Sequence, residues 1–356
     1  MSPSSRDRSD RSTVAVIFGG RSSEHQISCL TAREVLAVID PDRFDVRAIG
    51  ITRGGEWVEE TGVWDDLEPG VLPEVRAQNP HVEWESVRKF DVVFPLLHGP
   101  WGEDGTLQGL LELADVRFVG AGVLASALSM DKQYSKVVFS AGGLPQVQHV
   151  TVLPGQWDRE PEKVRARVKA LGLPVFVKPA RAGSSEGVTR VNDFDDLESA
   201  IKEASGHDPK VLVEAGVTGG RELECGVIQA PDGTPVASVV GEVVVAPSSG
   251  HSFYDFESKY LDGTSSIVVP AELPVTISER IRAYAIQAFE AVGCEGLARV
   301  DFFLSDDKLV INEINTMPGF TPFSMFPTLW AESGVSYEKL VERLIELALA
   351  RRTGLR

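Results

Sequence analysis

Three short apolar runs in the first hundred residues constrain the fold more than any other feature. They are the run 13–18 ending in Gly19-Gly20, FDVRAIGIT at 44–52, and DVVFPLLHG at 91–99. A helical stretch at 28–39 separates the first two, and another at 105–114 follows the third. Apolar runs alternating with helices predict a doubly wound, mostly parallel sheet whose strand-end loops carry the chemistry. The unit closes near residue 130.

The chain has 356 residues, more than one ordinary domain holds. A helix at 131–141 ends at Gly142-Gly143 and Pro145. QHVTVL, an amphipathic helix at 162–171, PVFVKPA, a glycine-serine loop, a helix at 193–204 and KVLVEAGV then make a short α+β unit. Strands dominate from Arg221 onward, with helices at 277–292 and 337–350. The expected division is a disordered tail at 1–12 and units at 13–130, 131–220 and 221–356.

A net charge of −17 argues against a nucleic-acid or anionic-membrane partner, which needs clustered cations. Three cysteines, Cys29, Cys225 and Cys294, lie far apart without CxxC spacing. They read as reduced thiols of a cytoplasmic protein, not as a disulfide frame or zinc site. The polar opening MSPSSRDRSDRS lacks the apolar core of a signal peptide, and no run approaches the ~20 apolar residues that span a bilayer.

The segment ARVDFFLSDDKLVINEINT reads as a hairpin. Side chains alternate along a strand, so Arg299 shares a face with Asp301, and Glu313 with Asn315. A three-residue loop at 306–308 sets Asp301 opposite Glu313 and Arg299 opposite Asn315. Two carboxylates, an amide and a guanidinium then share one surface. That set suits magnesium bridging nucleotide phosphates, with Arg299 facing an oxyanion, ahead of the alternative of a solvated sheet face with a salt bridge. VFVKPARAGSSEGVTRV ends a strand at Lys178 and opens a loop rich in backbone N–H donors, a nest for phosphate or an ordinary surface loop. Lys136 lies on the helix opening the same unit. KVLVEAGVTGGRELECGV sets Glu214 and Glu222 around a hinge that suits adenine and ribose, or is a polar connection. HSFYDFESKYLDGTS keeps four aromatics without regular periodicity, as lids do. FGGRSSEHQIS and LHGPWGEDGT place Glu24, His25, His98, Glu103 and Asp104 at strand ends. No GxSxG or Cys–His pairing points to a nucleophilic triad.

In order, GGRSSEHQIS, LHGPWGEDGTLQG, MDKQYSK, VKPARAGSS, FYDFESKY and NEINTMPGFTPFS resemble the D-alanine–D-alanine ligases, from about residue 13 to the C-terminus. The resemblance implies a three-unit ATP-grasp fold, with ATP as co-substrate clasped between two sheets. It implies two Mg²⁺ ions (Mn²⁺ in their place, and a monovalent cation as a further aid), a homodimer in the cytoplasm, and a role in peptidoglycan synthesis. Carried over residue by residue, Lys136, Lys178 and Ser185 meet the ATP phosphates, Glu214 and Val217 adenine, and Glu222 the ribose. Asp301, Glu313 and Asn315 hold the metals. Arg299 and the Gly319 N–H stabilise the oxyanion, and Ser324 binds the second substrate's carboxylate. Glu24, helped by His98, receives the first substrate's ammonium. Ser184 and Tyr260 hydrogen-bond to Glu24, Lys259 reaches the transferred phosphate, and Tyr254 joins the substrate site. In the family, the tyrosine at Tyr260 marks dipeptide formation, so D-alanine is read as second substrate. Ligases using D-serine or D-lactate, and a non-catalytic nucleotide-binding relative, are the alternatives. Two positions depart from the family pattern. Glu186 replaces a small apolar residue and repels phosphate unless it points away, and Ala215 stands where many relatives carry Lys.

Overall fold

The computed structural model describes residues 11–60, 71–245 and 265–354. Most of the tail expected to be disordered, and Tyr254, Lys259 and Tyr260 with their loop, lie outside the described residues. The first sheet contains β1 (Ser12–Gly19), β2 (Phe44–Ile51), β3 (Trp57–Glu59), β4 (Val92–Pro95) and β5 (Arg117–Phe118). Its order is β3-β2-β1-β4-β5, parallel except for the edge strand β3. The two faces of β1 enter different cores. Val14, Val16 and Phe18 pack with Cys29, Ala32 and Val35 of α1 (His25–Val38), whereas Ala15 and Ile17 pack with Leu107 and Leu111 of α2 (Thr106–Leu113). Helices on both faces are what the apolar runs require, because a parallel strand without polar alternation must be covered twice. Among the described α-helices of eight residues or more, two escaped the sequence reading, α3 (Val123–Met130) and the later Met325–Glu332. Both are short and mostly apolar, so they lack the polar face that marks a helix in sequence.

α4 (Lys132–Ala141) leads into the second unit. Asp131 caps it, accepting from the Gln133 and Tyr134 N–H groups. The second sheet joins β6 (His149–Val152), β7 (Val175–Pro179), β8 (Thr189–Val191) and β9 (Val211–Ala215) in the antiparallel order β6-β9-β7-β8. After α5 (Gln156–Arg159), α6 (Pro161–Lys169) and α7 (Leu197–His207) cover one face, where Val175, Val177, Val211 and Val213 meet Val164, Val168, Ala200 and Ile201. Alternation sends Phe176, Lys178 and Glu214 to the opposite face.

The third sheet, order β12-β11-β10-β13-β14, is antiparallel: β10 (Arg221–Gln229), β11 (Pro235–Val245), β12 (Ser265–Val268), β13 (Leu297–Ser305) and β14 (Lys308–Asn315). α8 (Val275–Ala291) buries Ile281, Ala285 and Phe289 against Leu223, Cys225, Val300 and Phe302. Glu222, Glu224, Arg299, Asp301, Glu313 and Asn315 are thereby left to the other face. α9 (Met325–Glu332) and α10 (Tyr337–Ala350) close the chain. Leu340, Leu344 and Ile345 of α10 join the core of α1 and β4, so the last helix bridges the third sheet to the first.

The β13–β14 hairpin has the expected pairs, Asp301 with Glu313 and Arg299 with Asn315, but not the expected loop. Ser305 pairs with Lys308, leaving a two-residue turn with Asp306 left-handed at φ +52°. A bulge at Asn312, between the Phe302–Ile311 and Asp301–Glu313 pairs, restores the register. Two deviations cancel, and the bulge sits beside the carboxylates it aims.

Candidate active site

A cavity of about 540 Å³ is lined by the free faces of the second and third sheets and by the N-terminal loops. Its second-sheet wall is cationic. Lys136 is 1% exposed and Glu214 4%. The Lys136 ammonium lies 2.6 Å from Glu214 Oε1, and that of Lys178 lies 2.5 Å from Oε2. Burial opposes the charge on Glu214, but the two lysines outweigh it and hold the carboxyl down to about 2. Burial lowers the Lys136 pKa against the pull of Glu214, so the cation presented to a ligand is Lys178, which lines the cavity. The resemblance assigns Glu214 to adenine; the structure gives both its carboxylate oxygens to the lysines. Val217 and Glu222 line the cavity farther along, as does Ser185.

The third-sheet wall is anionic. Arg299 makes a fork with Asp301, Nε to Oδ1 and Nη2 to Oδ2, both at 2.8 Å, and its Nε lies 2.7 Å from Glu224 Oε2. Burial works against this guanidinium, but Asp301 and Glu224 overcome it and keep it charged far beyond its ordinary range. Asn315 donates its amide N–H to Asp301 Oδ2 at 3.0 Å. Glu313 Oε2 lies 3.4 Å from the Lys132 ammonium. Among the described residues no cluster of three or more His, Cys, Asp or Glu side chains forms a metal cage. Two carboxylates and an amide oxygen still fit magnesium, a hard cation that takes one or two protein carboxylates and completes its shell with phosphate and water.

The N-terminal loops close the third side. Ser184 Oγ donates to Glu24 Oε1 across 160 positions of chain. Ser184 and Ser185 sit in the left-handed region, at φ +47° and +59°, a conformation that costs a non-glycine residue energy and clusters at functional loops. A Cβ on Gly183 would come within 2.9 Å of the Glu24 carboxylate, so the loop approaches Glu24 closely because residue 183 is glycine. Glu186 lines the cavity, with its carboxylate engaged by neighbours. It accepts from Ser23 Oγ at 2.9 Å and lies 3.4 Å from His207 Nδ1.

His98 lines the cavity, with Nδ1 3.2 Å from the Met317 carbonyl and Nε2 3.3 Å from Thr31 Oγ1. Burial lowers its pKa against the pull of Glu24. His25 is structural, 2.7 Å from the Gly20 carbonyl and accepting from the Val75 N–H. Gly319 lines the cavity. Ser324 stands outside the lining and ties the 318–324 turn, accepting from the Thr321 N–H at 3.1 Å.

With these walls in place, family models described as D-ala D-ala ligase N-terminus and C-terminus match residues 13–121 and 138–346. The chain belongs to the D-alanine–D-alanine ligase family. A D-alanine–D-alanine ligase of Mycobacterium sp. (strain KMS) is 52% identical over 373 residues, spanning 98% of this chain and 99% of that one. The crystal structure of the VanG D-Ala:D-Ser ligase from Enterococcus faecalis superposes with a TM-score of 0.80 at 37% identity, covering 95% of this chain and 99% of the other. The D-alanine–D-alanine ligase from Coxiella burnetii gives 0.74 at 31%, covering 96% and 94%. The three sheets are the ATP-grasp architecture of this ligase family.

Within the ligase frame, three residues carry weight that the motifs did not assign. Glu224 holds Arg299; it lies two residues beyond Glu222 on the same strand face, a period-2 signal legible in RELECG. Glu103, in GEDG, accepts from the Gly99 N–H at 2.6 Å. Burial, then the charge of Glu24, pushes its carboxyl up to about 8. The third is Lys132.

Proposed function

We propose that this chain joins two D-alanines to D-alanyl-D-alanine at the expense of ATP, for peptidoglycan precursor synthesis. The observation that carries the reading is one cavity with a cationic wall and an anionic wall. Lys178, backed by Lys136 and Glu214, attracts phosphate; Asp301 and Glu313 attract cations. Magnesium nucleotide presents both charges at once, and the family's ATP-dependent chemistry uses it.

A carboxylate is a poor electrophile, so phosphate must first become its leaving group. The carboxylate of the first D-alanine attacks the γ-phosphorus of ATP, forming an acyl phosphate and releasing ADP. The amine of the second D-alanine then attacks the acyl carbon, loses a proton, and expels phosphate. Glu24 binds the first ammonium, beside His98. Arg299 and the Gly319 N–H stabilise the oxyanion of the tetrahedral intermediate, and Glu224 and Asp301 keep the guanidinium in place. Asp301, Glu313 and Asn315 would hold two Mg²⁺ ions, which neutralise phosphate charge when bound. The Ser184–Glu24 bond keeps the loop over the reacting groups, excluding water from the acyl phosphate. The roles of Lys259, Tyr254, Tyr260 and Ser324 rest on the family resemblance. So do the cytoplasmic location and homodimer; among the described residues no helix is long and apolar enough to cross a membrane.

The likeness to the VanG D-Ala:D-Ser ligase supplies a second reading, with D-serine as acceptor. Phosphate release from Mg·ATP distinguishes them, measured without amino acid and with L-alanine, D-alanine, or D-alanine plus excess D-serine or D-lactate, products being identified by mass. D-alanine alone is expected to yield the dipeptide. Release only with another acceptor overturns the substrate, and no release despite ATP binding overturns the activity.

A further inference from the structure

Lys132 opens α4 and takes no role in the chemistry above, yet it holds the serine loop at two points. Its backbone N–H donates to the Ala180 carbonyl at 3.0 Å and its ammonium to the Ala182 carbonyl at 2.8 Å. The same ammonium lies 3.4 Å from Glu313 Oε2, and its side chain is 15% exposed at the cavity wall. One helical turn on, Lys136 points to the neighbouring residue of the same hairpin, 3.5 Å from the Asn312 carbonyl. Residues four apart share a helix face, so α4 presents two ammonium groups to the bulge that aims Glu313.

The stem of the serine loop is fixed independently within the second unit. The Ala180 N–H donates to the Lys210 carbonyl at 2.9 Å, Arg181 forks onto Asp208 at 2.9 and 2.8 Å, and Lys210 pairs with Asp131. Lys132 extends this anchorage across the cavity to the third sheet. An ammonium has three donors and no fixed plane, so one lysine can serve a carbonyl and a carboxylate together.

We propose that Lys132 is a positioning residue that couples Glu313 to the serine loop. The shared ammonium secures the loop stem through Ala182 and competes with a divalent cation for Glu313. The proposal rests on the assignment of Glu313 to the metal, but not on which amino acids are joined. Removing the ammonium therefore has two opposite effects: the loop loosens, while the carboxylate becomes more available to metal. A lysine that merely supported the fold would weaken both.

The test uses the full chain and two variants, Lys132→Met, which keeps the length without charge or donors, and Lys132→Arg, which keeps both. Hydrogen exchange is followed over 180–188, where the Glu186 and Val188 N–H groups bond to the Gly183 and Ser185 carbonyls. Mn²⁺ binding without nucleotide is measured by calorimetry. Lys132→Met is expected to exchange about five- to tenfold faster in this segment and to bind Mn²⁺ about threefold more tightly. Lys132→Arg keeps the charge, so its Mn²⁺ binding stays within about twofold of the parent, while its planar fork cannot serve carbonyl and carboxylate together and its exchange falls between those of the parent and Lys132→Met. Unchanged exchange in Lys132→Met, or Mn²⁺ binding that is unchanged or weaker, overturns the proposal. Absence of Mn²⁺ binding by the parent overturns it too, because the ammonium then competes with nothing. Neither readout requires ligation, so failure of the D-alanine reading is separately visible as absent dipeptide.

Discussion

The second and third sheets bury charge in opposite ways. On the second, two lysines converge on Glu214 from different elements, one from α4 and one from β7. On the third, Arg299 is surrounded by Glu224 and Asp301, with Glu313 nearby on the paired strand. Each cluster is internally paired, as burial demands, but each keeps a surplus of opposite sign directed at the same cavity. The difference teaches how one cleft can hold a polyanion and its counter-cations together: the surplus on each wall is small enough to fold and large enough to bind.

The largest effect is expected from the anionic wall. Glu313→Gln removes a charge at the metal position with little change of shape, and turnover should fall by about 10³-fold or more while the melting temperature holds. Near-parental rates would sink the metal assignment. The cationic wall should respond in stability as well. Glu214→Gln leaves two buried ammonium groups without their carboxylate and should cost about 3 kcal/mol, read as a lowered denaturant midpoint at pH 7. Because the folded carboxyl titrates at about 2, below its ordinary value, its stabilisation is present above about pH 4. It is lost as pH falls toward 2, so the two proteins should converge in acid. A constant difference across that range would show that Glu214 acts through packing.

Glu103 sharpens the comparison because it is a half-buried acid without a cation of its own wall. Its folded pKa of about 8 exceeds the ordinary ~4.3. Its contribution is therefore full below about pH 4 and lost as pH rises toward 8. Glu103→Gln, neutral throughout, should gain ~2 °C or more in melting temperature relative to the parent between pH 5 and 8. Parallel melting curves would mean that the carboxyl is ionised in the fold. The smallest effect belongs to Glu186. Its partners Ser23 and His207 are exposed, and such contacts contribute at most about 1 kcal/mol. Glu186→Ala should raise KM for ATP less than about fivefold. A fall in KM would mean that the carboxylate repels phosphate after all.

Much of this was legible before any coordinates. Alternation along ARVDFFL and LVINEIN put Arg299, Asp301, Glu313 and Asn315 on one face, and the register followed although loop and bulge each differed by one residue. PVFVKPA placed Lys178 on a strand, and the Asp131 cap placed Lys136 on its helix. What was not legible is partnership. Glu214 reads as a hinge residue, and nothing in the sequence announces the two lysines that take its carboxylate; nor does the 318–324 motif announce the bond from the Thr321 N–H to Ser324. Nothing near Glu186 in sequence announces Ser23 or His207, the partners that engage its carboxylate.

The sequence by itself determined most strands and the longer helices, the face on which the site's polar side chains emerge and the family to which the motifs belong. These depend on bond geometry and hydrophobic period, which act over a few residues. Only the tertiary structure decided which charges neutralise one another: Glu24 with a serine 160 positions away, Lys136 with Glu214, Lys132 with Glu313. Those choices are made where separate units meet, because desolvation makes a buried charge take whatever partner the packing brings within reach.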